Sequence, residues 1–175
     1  MGKKIIKLGG ILCLITLVTA LLLCGANYIT KDIIEKNNEE LVTNSMRELV
    51  PAEKYEEIAG DVFRGTNGGE LAGYCVNTVT KGYGGDIELT VGFDKELAVT
   101  GIKITKSSET AGLGANASKP EFSEKLKGKK PELTVSKSGN GGDCELDAIS
   151  GATITSRAVA DGINKAFVLV KEAAK

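Results

Sequence analysis

Within the stretch "DAISGATITS", four hydroxyl side chains, Ser150, Thr153, Thr155 and Ser156, flank the pair Gly151-Ala152. An alternating, strand-like run ends just before them, and a helical pattern starts just after. Ser and Thr are preferred caps at helix starts, which accounts for Thr155 or Ser156. Capping does not explain why Gly151 and Ala152 leave the backbone open immediately ahead of Thr153. A helix start presents unpaired amides and the positive end of the helix dipole, a setting that suits a phosphate. The chemistry these residues suggest is phosphate binding, with a hydroxyl at hand.

Two glycine-bearing loops are the other candidates. "GLGANA", Gly112 to Ala117, matches the dinucleotide pattern G-x-G-x-x-A. Its context does not: "SSETA" separates it from the preceding strand, Pro120 interrupts the chain just after it, and no βαβ unit surrounds it. Its glycines read instead as permitting close backbone approach to a flat ligand. "KGYGGD", Lys81 to Asp86, places an aromatic among glycines and reads equally as a strand-connecting turn or as a ligand contact.

Composition narrows the classes. The chain has 175 residues and no histidine, so imidazole metal sites and Ser-His or Cys-His nucleophile pairs are excluded. Lys3, Lys4 and Lys7 precede every acidic residue. Without them 19 of the 22 basic residues remain against 23 acidic ones, a net of −4. That balance argues against nucleic acid, which rewards a clustered basic face. There are four cysteines but no C-x-x-C, which disfavours iron-sulfur and zinc sites, and no metal ligand is assigned. Cys75 and Cys144, the pair in the soluble part, form either a disulfide or buried free thiols, the second being the preferred reading.

Residues 8–30, "LGGILCLITLVTALLLCGANYIT", carry no charged side chain and are long enough to cross a bilayer as a helix. With the three lysines before it, the positive-inside rule keeps residues 1–7 in the cytoplasm and the bulk of the chain outside it. A cleaved signal peptide ending near Cys24-Gly25-Ala26 is the competing reading; a lipoprotein fits less well, because Leu23 precedes the cysteine. Gly9, Cys13, Thr16, Ala20 and Cys24 recur at intervals of three or four, a small-residue face of the kind helices use to pack in lipid.

The remainder must position the hydroxyl cluster. Apolar spacing from Ile29 to Leu49 predicts a helix ending at Pro51, so residues 31–55 are expected to link membrane to domain. The period then becomes two. "DIELTVGF" points Ile87, Leu89, Val91 and Phe93 to one face, "DKE" turns, and "LAVTGIKIT" returns with a bulge expected at Gly101. Earlier strands are expected at Asp61 to Arg64 and Leu71 to Thr80. "PELTVS" and "CELDAI" are two more, joined by a "KSGNGGD" turn. A final amphipathic helix from Ser156 to Ala174 would bury Val159, Ile163, Phe167, Val170 and Ala174. Residues 56–175 thus read as one α+β domain, a mainly antiparallel sheet with flanking helices, behind a single amino-terminal transmembrane helix.

"DAISGAT" resembles the D-x-x-(S/T)-G-A-T signature of covalently flavinylated FMN-binding domains. "ETAGLG" resembles their E-T-P-G-L-G loop, and "GYGGDIELTVGFD" their G-Y-x-G strand entry. Order and spacing agree along nearly the whole chain, as does the membrane helix. The likeness extends to the G subunits of Rnf electron-transport complexes and, less closely, to the C subunits of sodium-pumping NADH:quinone reductases. The resemblance implies that Thr153 bears FMN through a phosphoester, installed by a flavin transferase of the ApbE family. Asp147, Ser150, Gly151 and Ala152 would form the recognition signature. Glu109, Thr110, Gly112, Leu113 and Gly114 would lie beside the flavin, with Gly82, Tyr83, Gly84 and Gly85 nearby. Ala111 departs from the pattern by replacing a proline, which leaves the loop less restrained. Thr155 stands as the rival attachment point because of its placement near the helix start.

The function so implied is that of a single-pass membrane flavoprotein whose FMN domain is extracytoplasmic. It would relay electrons among the membrane subunits of an Rnf-type ferredoxin:NAD oxidoreductase that moves Na+ or H+. Covalent attachment suits a domain outside the cytoplasm, where a reversible carrier would lose FMN by mass action. Two alternatives stand beside it: a free-standing flavinylated electron carrier, and a non-redox anchored binding module in which the hydroxyls only cap a helix.

Overall fold

The computed structural model describes residues 2–136 and 142–174, so most of the "KSGNGGD" turn lies outside the described residues. The chain forms two compact units, Met1–Glu40 and Leu41–Lys175.

In the first unit, helix α1 (Gly2–Leu49, which continues into the second) carries the apolar stretch Ile6–Lys31, whose most apolar 18 residues have a mean hydropathy of 2.4 and are not buried. Those 26 residues extend about 39 Å at 1.5 Å per residue, more than the ~30 Å hydrocarbon layer of a bilayer. Apolar side chains project all round and are exposed, the pattern of a helix able to lie in lipid. The helix continues without a break through the stretch that the sequence divides into span and linker.

The second unit is α+β. Five strands, β1 (Lys54–Ala59), β2 (Val62–Asn67), β3 (Glu70–Lys81), β4 (Asp86–Phe93) and β5 (Val99–Lys106), form an antiparallel meander in chain order. Strand β1 is absent from the sequence reading because three of its six residues are charged and four are exposed. The expected bulge in β5 is present one residue early: Gly101 faces Gly92 and Val99 faces Phe93, which leaves Thr100 over. A second pair, β6 (Thr134–Ser136) and β7 (Glu145–Asp147), is parallel. A short helix, α2 (Pro120–Glu124), and the long α3 (Thr153–Ala173) complete the unit.

Helix α3 lies on one face of the meander. Val159, Ile163, Ala166 and Val170 are completely buried, together with Ile87, Leu89, Val91 and Phe93 of β4. Gly162 lets the helix approach: a Cβ there would stand 3.0 Å from Thr80 and 3.1 Å from Leu89. Ala174, expected in the buried stripe, is exposed because the helix ends at Ala173. The opposite sheet face is covered by the last turns of α1, where Met46, Val50 and Cys75 form a smaller cluster. Thr90, assigned to the polar face of β4, is also buried and donates to Asn77 Oδ1 at 2.8 Å.

Two side chains finish exposed backbone. Asn164 of α3 accepts from Leu133 N at 2.6 Å and donates to Leu133 O at 2.9 Å, fixing the entry to β6. Ser123 does the same for edge strand β5, accepting from Ile102 N at 3.0 Å and donating to Ile102 O at 2.9 Å. Cys75 and Cys144 are both free. Cys75 is buried and Cys144, against expectation, is exposed because it sits at the turn before β7. Burial pushes the Cys75 thiol up to about 12.

Candidate functional site

The candidate site lies at the amino-terminal end of α3. The helix starts at Thr153, three residues before the expected start, and its N-cap is Ala152, which makes no side-chain cap bond. Capping therefore does not account for the hydroxyls. Each has a different placement. Ser156 accepts from Ile149 N at 2.9 Å and donates to Ala152 O at 3.0 Å, folding the strand-to-helix loop back on the first turn. Thr155, the third helical residue rather than a cap, is 1 % exposed and donates to Glu109 Oε2 at 2.6 Å. Thr153 is half-buried, and its hydroxyl has no hydrogen-bond partner among the described residues.

The backbone ahead of Thr153 turns sharply. Gly151 has φ +74, and a Cβ there would press on Leu113 at 3.0 Å. Ala152 N donates to Ile149 O, while the amides of Thr153, Ile154 and Thr155 have no acceptor among the described residues. Three outward amides at a helix start, reinforced by the dipole, make an anion site.

Those amides face a cavity of about 610 Å³, within the ~300–1,000 Å³ of small-molecule sites. Its walls come from three segments: Tyr83 from the β3–β4 loop; Glu109, Thr110, Leu113 and Gly114 from the loop after β5; and Gly151 to Thr155. Tyr83 (71 % exposed), Leu113 (44 %) and Ile154 (54 %) present unusually open apolar surface around it. Of the fourteen site residues expected, Tyr83, Glu109, Thr110, Leu113, Gly114, Gly151, Ala152 and Thr153 line the cavity together. Gly82, Gly84, Gly85, Gly112, Asp147 and Ser150 do not. Gly112 instead sets the loop turn with φ +79, and Asp147, at the end of β7, has a buried Oδ1 with no partner among the described residues. Ile154 lines the cavity unexpectedly; its open, apolar place on the first helical turn was the available signal.

The loops are joined by one carboxylate. Glu109 Oε1 accepts from Tyr83 N at 2.7 Å and Gly84 N at 3.0 Å, while Oε2 takes the Thr155 hydroxyl. Burial pushes this carboxyl up, but the Thr155 hydroxyl and the Gly84 and Tyr83 amides outweigh it and hold it below its ordinary value. The glycines serve this arrangement. A Cβ at Gly82 or Gly114 would overlap the Glu109 carboxylate, and one at Gly84 would overlap Ser108 O. These three glycines pack against the protein itself, whereas a Cβ at Gly112 would meet nothing within 4 Å.

Comparison with known proteins gives matches along the chain. Residues 82–168 match the FMN-binding domain family, and residues 1–49 match the RnfG N-terminal region. The G subunit of the Na(+)-translocating ferredoxin:NAD(+) oxidoreductase complex of Acetobacterium woodii is 36% identical, over 99% of this chain and 95% of that protein. The proton-translocating counterpart from Clostridium ljungdahlii is 33% identical, over 85% and 82%. Among solved structures, the C subunit of the Na(+)-translocating NADH-quinone reductase of Parabacteroides distasonis aligns with TM-score 0.56 and 29% identity, over 64% of this chain and 61% of that one. Shewanella oneidensis NqrC aligns with TM-score 0.53 and 23% identity, over 69% and 67%, a likeness of fold.

Proposed function

Because this chain belongs to the family of G subunits of ion-translocating ferredoxin:NAD+ oxidoreductase complexes, we propose that it is the membrane-anchored subunit that relays electrons through FMN held covalently on Thr153. The observation that carries the reading is the state of that hydroxyl: unpartnered, half-buried, on the first turn of a helix with three open amides, and facing the cavity. Those residues fit a flavin phosphate. The Thr153 oxygen would bear the phosphorus, and the amides of Thr153, Ile154 and Thr155 would neutralise its charge. Tyr83, Leu113 and Ile154 offer the apolar surface that a flavin ring system requires and would keep water from it.

Bound FMN supplies the redox chemistry, so the protein has only to hold, orient and electrostatically tune it. The site accordingly needs no acid-base pair. Glu109 fixes the two loops against α3 and stays ionised near neutral pH. The stretch Ile6–Lys31 would span the membrane with Lys3, Lys4 and Lys7 on the cytoplasmic side, which puts the FMN domain outside. Its partners would be the other membrane subunits and, during maturation, a flavin transferase.

The test is peptide mass spectrometry of the full chain, produced in membranes with a flavin transferase. An FMN mass on the peptide containing Thr153, lost in Thr153→Ala together with the flavin absorbance, is the expected result. A colourless wild-type chain of unmodified mass would reduce the reading to that of an anchored, non-redox domain.

A further inference from the structure

Thr153 and Thr155 are chemically identical, stand two residues apart on one helical turn and line the same cavity. Glu109 separates them. Its Oε2 takes the Thr155 hydroxyl at 2.6 Å while its Oε1 is fixed by the amides of Tyr83 and Gly84. The carboxylate cannot easily move aside, because both oxygens are engaged and the backbone is pared to glycine around it at Gly82 and Gly114. A Cβ at Gly114 would also stand 2.6 Å from Thr155 Oγ1, so the same glycine accommodates donor and acceptor alike.

We infer that Glu109 is a specificity-determining residue that withholds Thr155 and leaves Thr153 as the hydroxyl open to flavin phosphate. The inference rests on the function proposed above. In the transfer, a threonine Oγ–phosphorus bond forms and the phosphoanhydride bond of a flavin dinucleotide breaks. A nucleoside monophosphate leaves, and the hydroxyl proton passes to a base of the transferase. Thr155 is 1 % exposed, and its hydroxyl is held inward against Glu109 by a charge-assisted hydrogen bond, so its oxygen is not presented to an incoming phosphorus. Attack there would also bring an anionic phosphate against an ionised carboxylate, a like-charge contact. Neither obstacle exists at Thr153, whose hydroxyl is unengaged and whose neighbours are amide donors.

The experiment asks for a gain rather than a loss. The full chain is co-produced in membranes with a flavin transferase, and the adduct is located by peptide fragmentation. Wild type is expected to carry FMN on Thr153 alone, and Thr153→Ala to carry none. Thr153→Ala combined with Glu109→Ala should acquire FMN on Thr155, at least tenfold above the single variant. Glu109→Gln in the same background should release Thr155 to a level between those of Glu and Ala, because the neutral amide removes the like-charge contact while its oxygen still accepts from Tyr83 and Gly84 and the side chain still fills the space. Glu109→Asp, one methylene shorter and less disruptive to the fold, should release Thr155 in part. Thr155 modified in Thr153→Ala with Glu109 intact overturns the inference. So does wild type modified on Thr153 while Thr153→Ala with Glu109→Asp stays unmodified. A wild-type chain without adduct overturns the underlying reading and this inference with it.

Discussion

Beneath α3, Val159, Ile163, Ala166 and Val170 are sealed against the sheet by many apolar neighbours. One turn earlier, two loops and the first turn of the helix meet at the single carboxylate of Glu109. The core is redundant: no one contact defines it, and its energy is indifferent to charge. The site is singular, built from a few directional bonds, one of whose partners is ionised. The same helix therefore carries a region that tolerates pH and a region that responds to it.

The largest effect should come from breaking the core. Ile163→Ala removes a fully buried side chain and should cost about 2–5 kcal/mol in denaturant unfolding, by the same amount at pH 7 and pH 5. Next is Gly114→Ala, whose new Cβ overlaps the Glu109 carboxylate and Thr155. Overpacking there should cost about 1–3 kcal/mol and lower FMN occupancy, measured by the ratio of flavin absorbance to protein. The pH response comes third. Glu109 titrates below its ordinary value when folded, so its stabilising contribution is present above the unfolded value of about 4.3 and fades as pH falls through the folded one. The gap in melting temperature between wild type and Glu109→Gln should hold steady above pH 6 and close below about pH 4.

The smallest effect concerns the loop between the two regions. Leu113 N donates to Thr110 O across Ala111 and Gly112, and Gly112 has φ +79, the pattern of a type II turn. Such turns favour proline where Ala111 stands, and Ala111 N donates to no acceptor among the described residues. Ala111→Pro should therefore stabilise by about 0.4–1 kcal/mol, seen as a small rise in melting temperature, and should leave the site of FMN attachment unchanged.

The same contrast decides what the sequence discloses. The β4–β5 hairpin and the buried stripe of α3 are legible because period and burial coincide: Ile87, Leu89, Val91 and Phe93 alternate, and Val159, Ile163 and Val170 follow the helical turn. Strand β1 escapes because "KYEEIA" is an edge held by backbone bonds to β2, with little apolar signature of its own. The parallel pairing of β6 and β7 depends on distant chain returning to the same place, which local pattern does not encode. At the site, the residue types and their segments are visible in the signatures, and eight of the fourteen residues converge on the cavity. The role of Glu109 as the joint between loops is not visible, because it depends on a contact 46 residues away.

Helix α3 begins on Ala152 with no side chain to close its first turn. A phosphate on Thr153 would supply what that turn lacks, since an anion at a helix start does the work of a cap. Maturation would then double as the last step of folding. The loaded chain should exchange its first-turn amide hydrogens more slowly than the bare one.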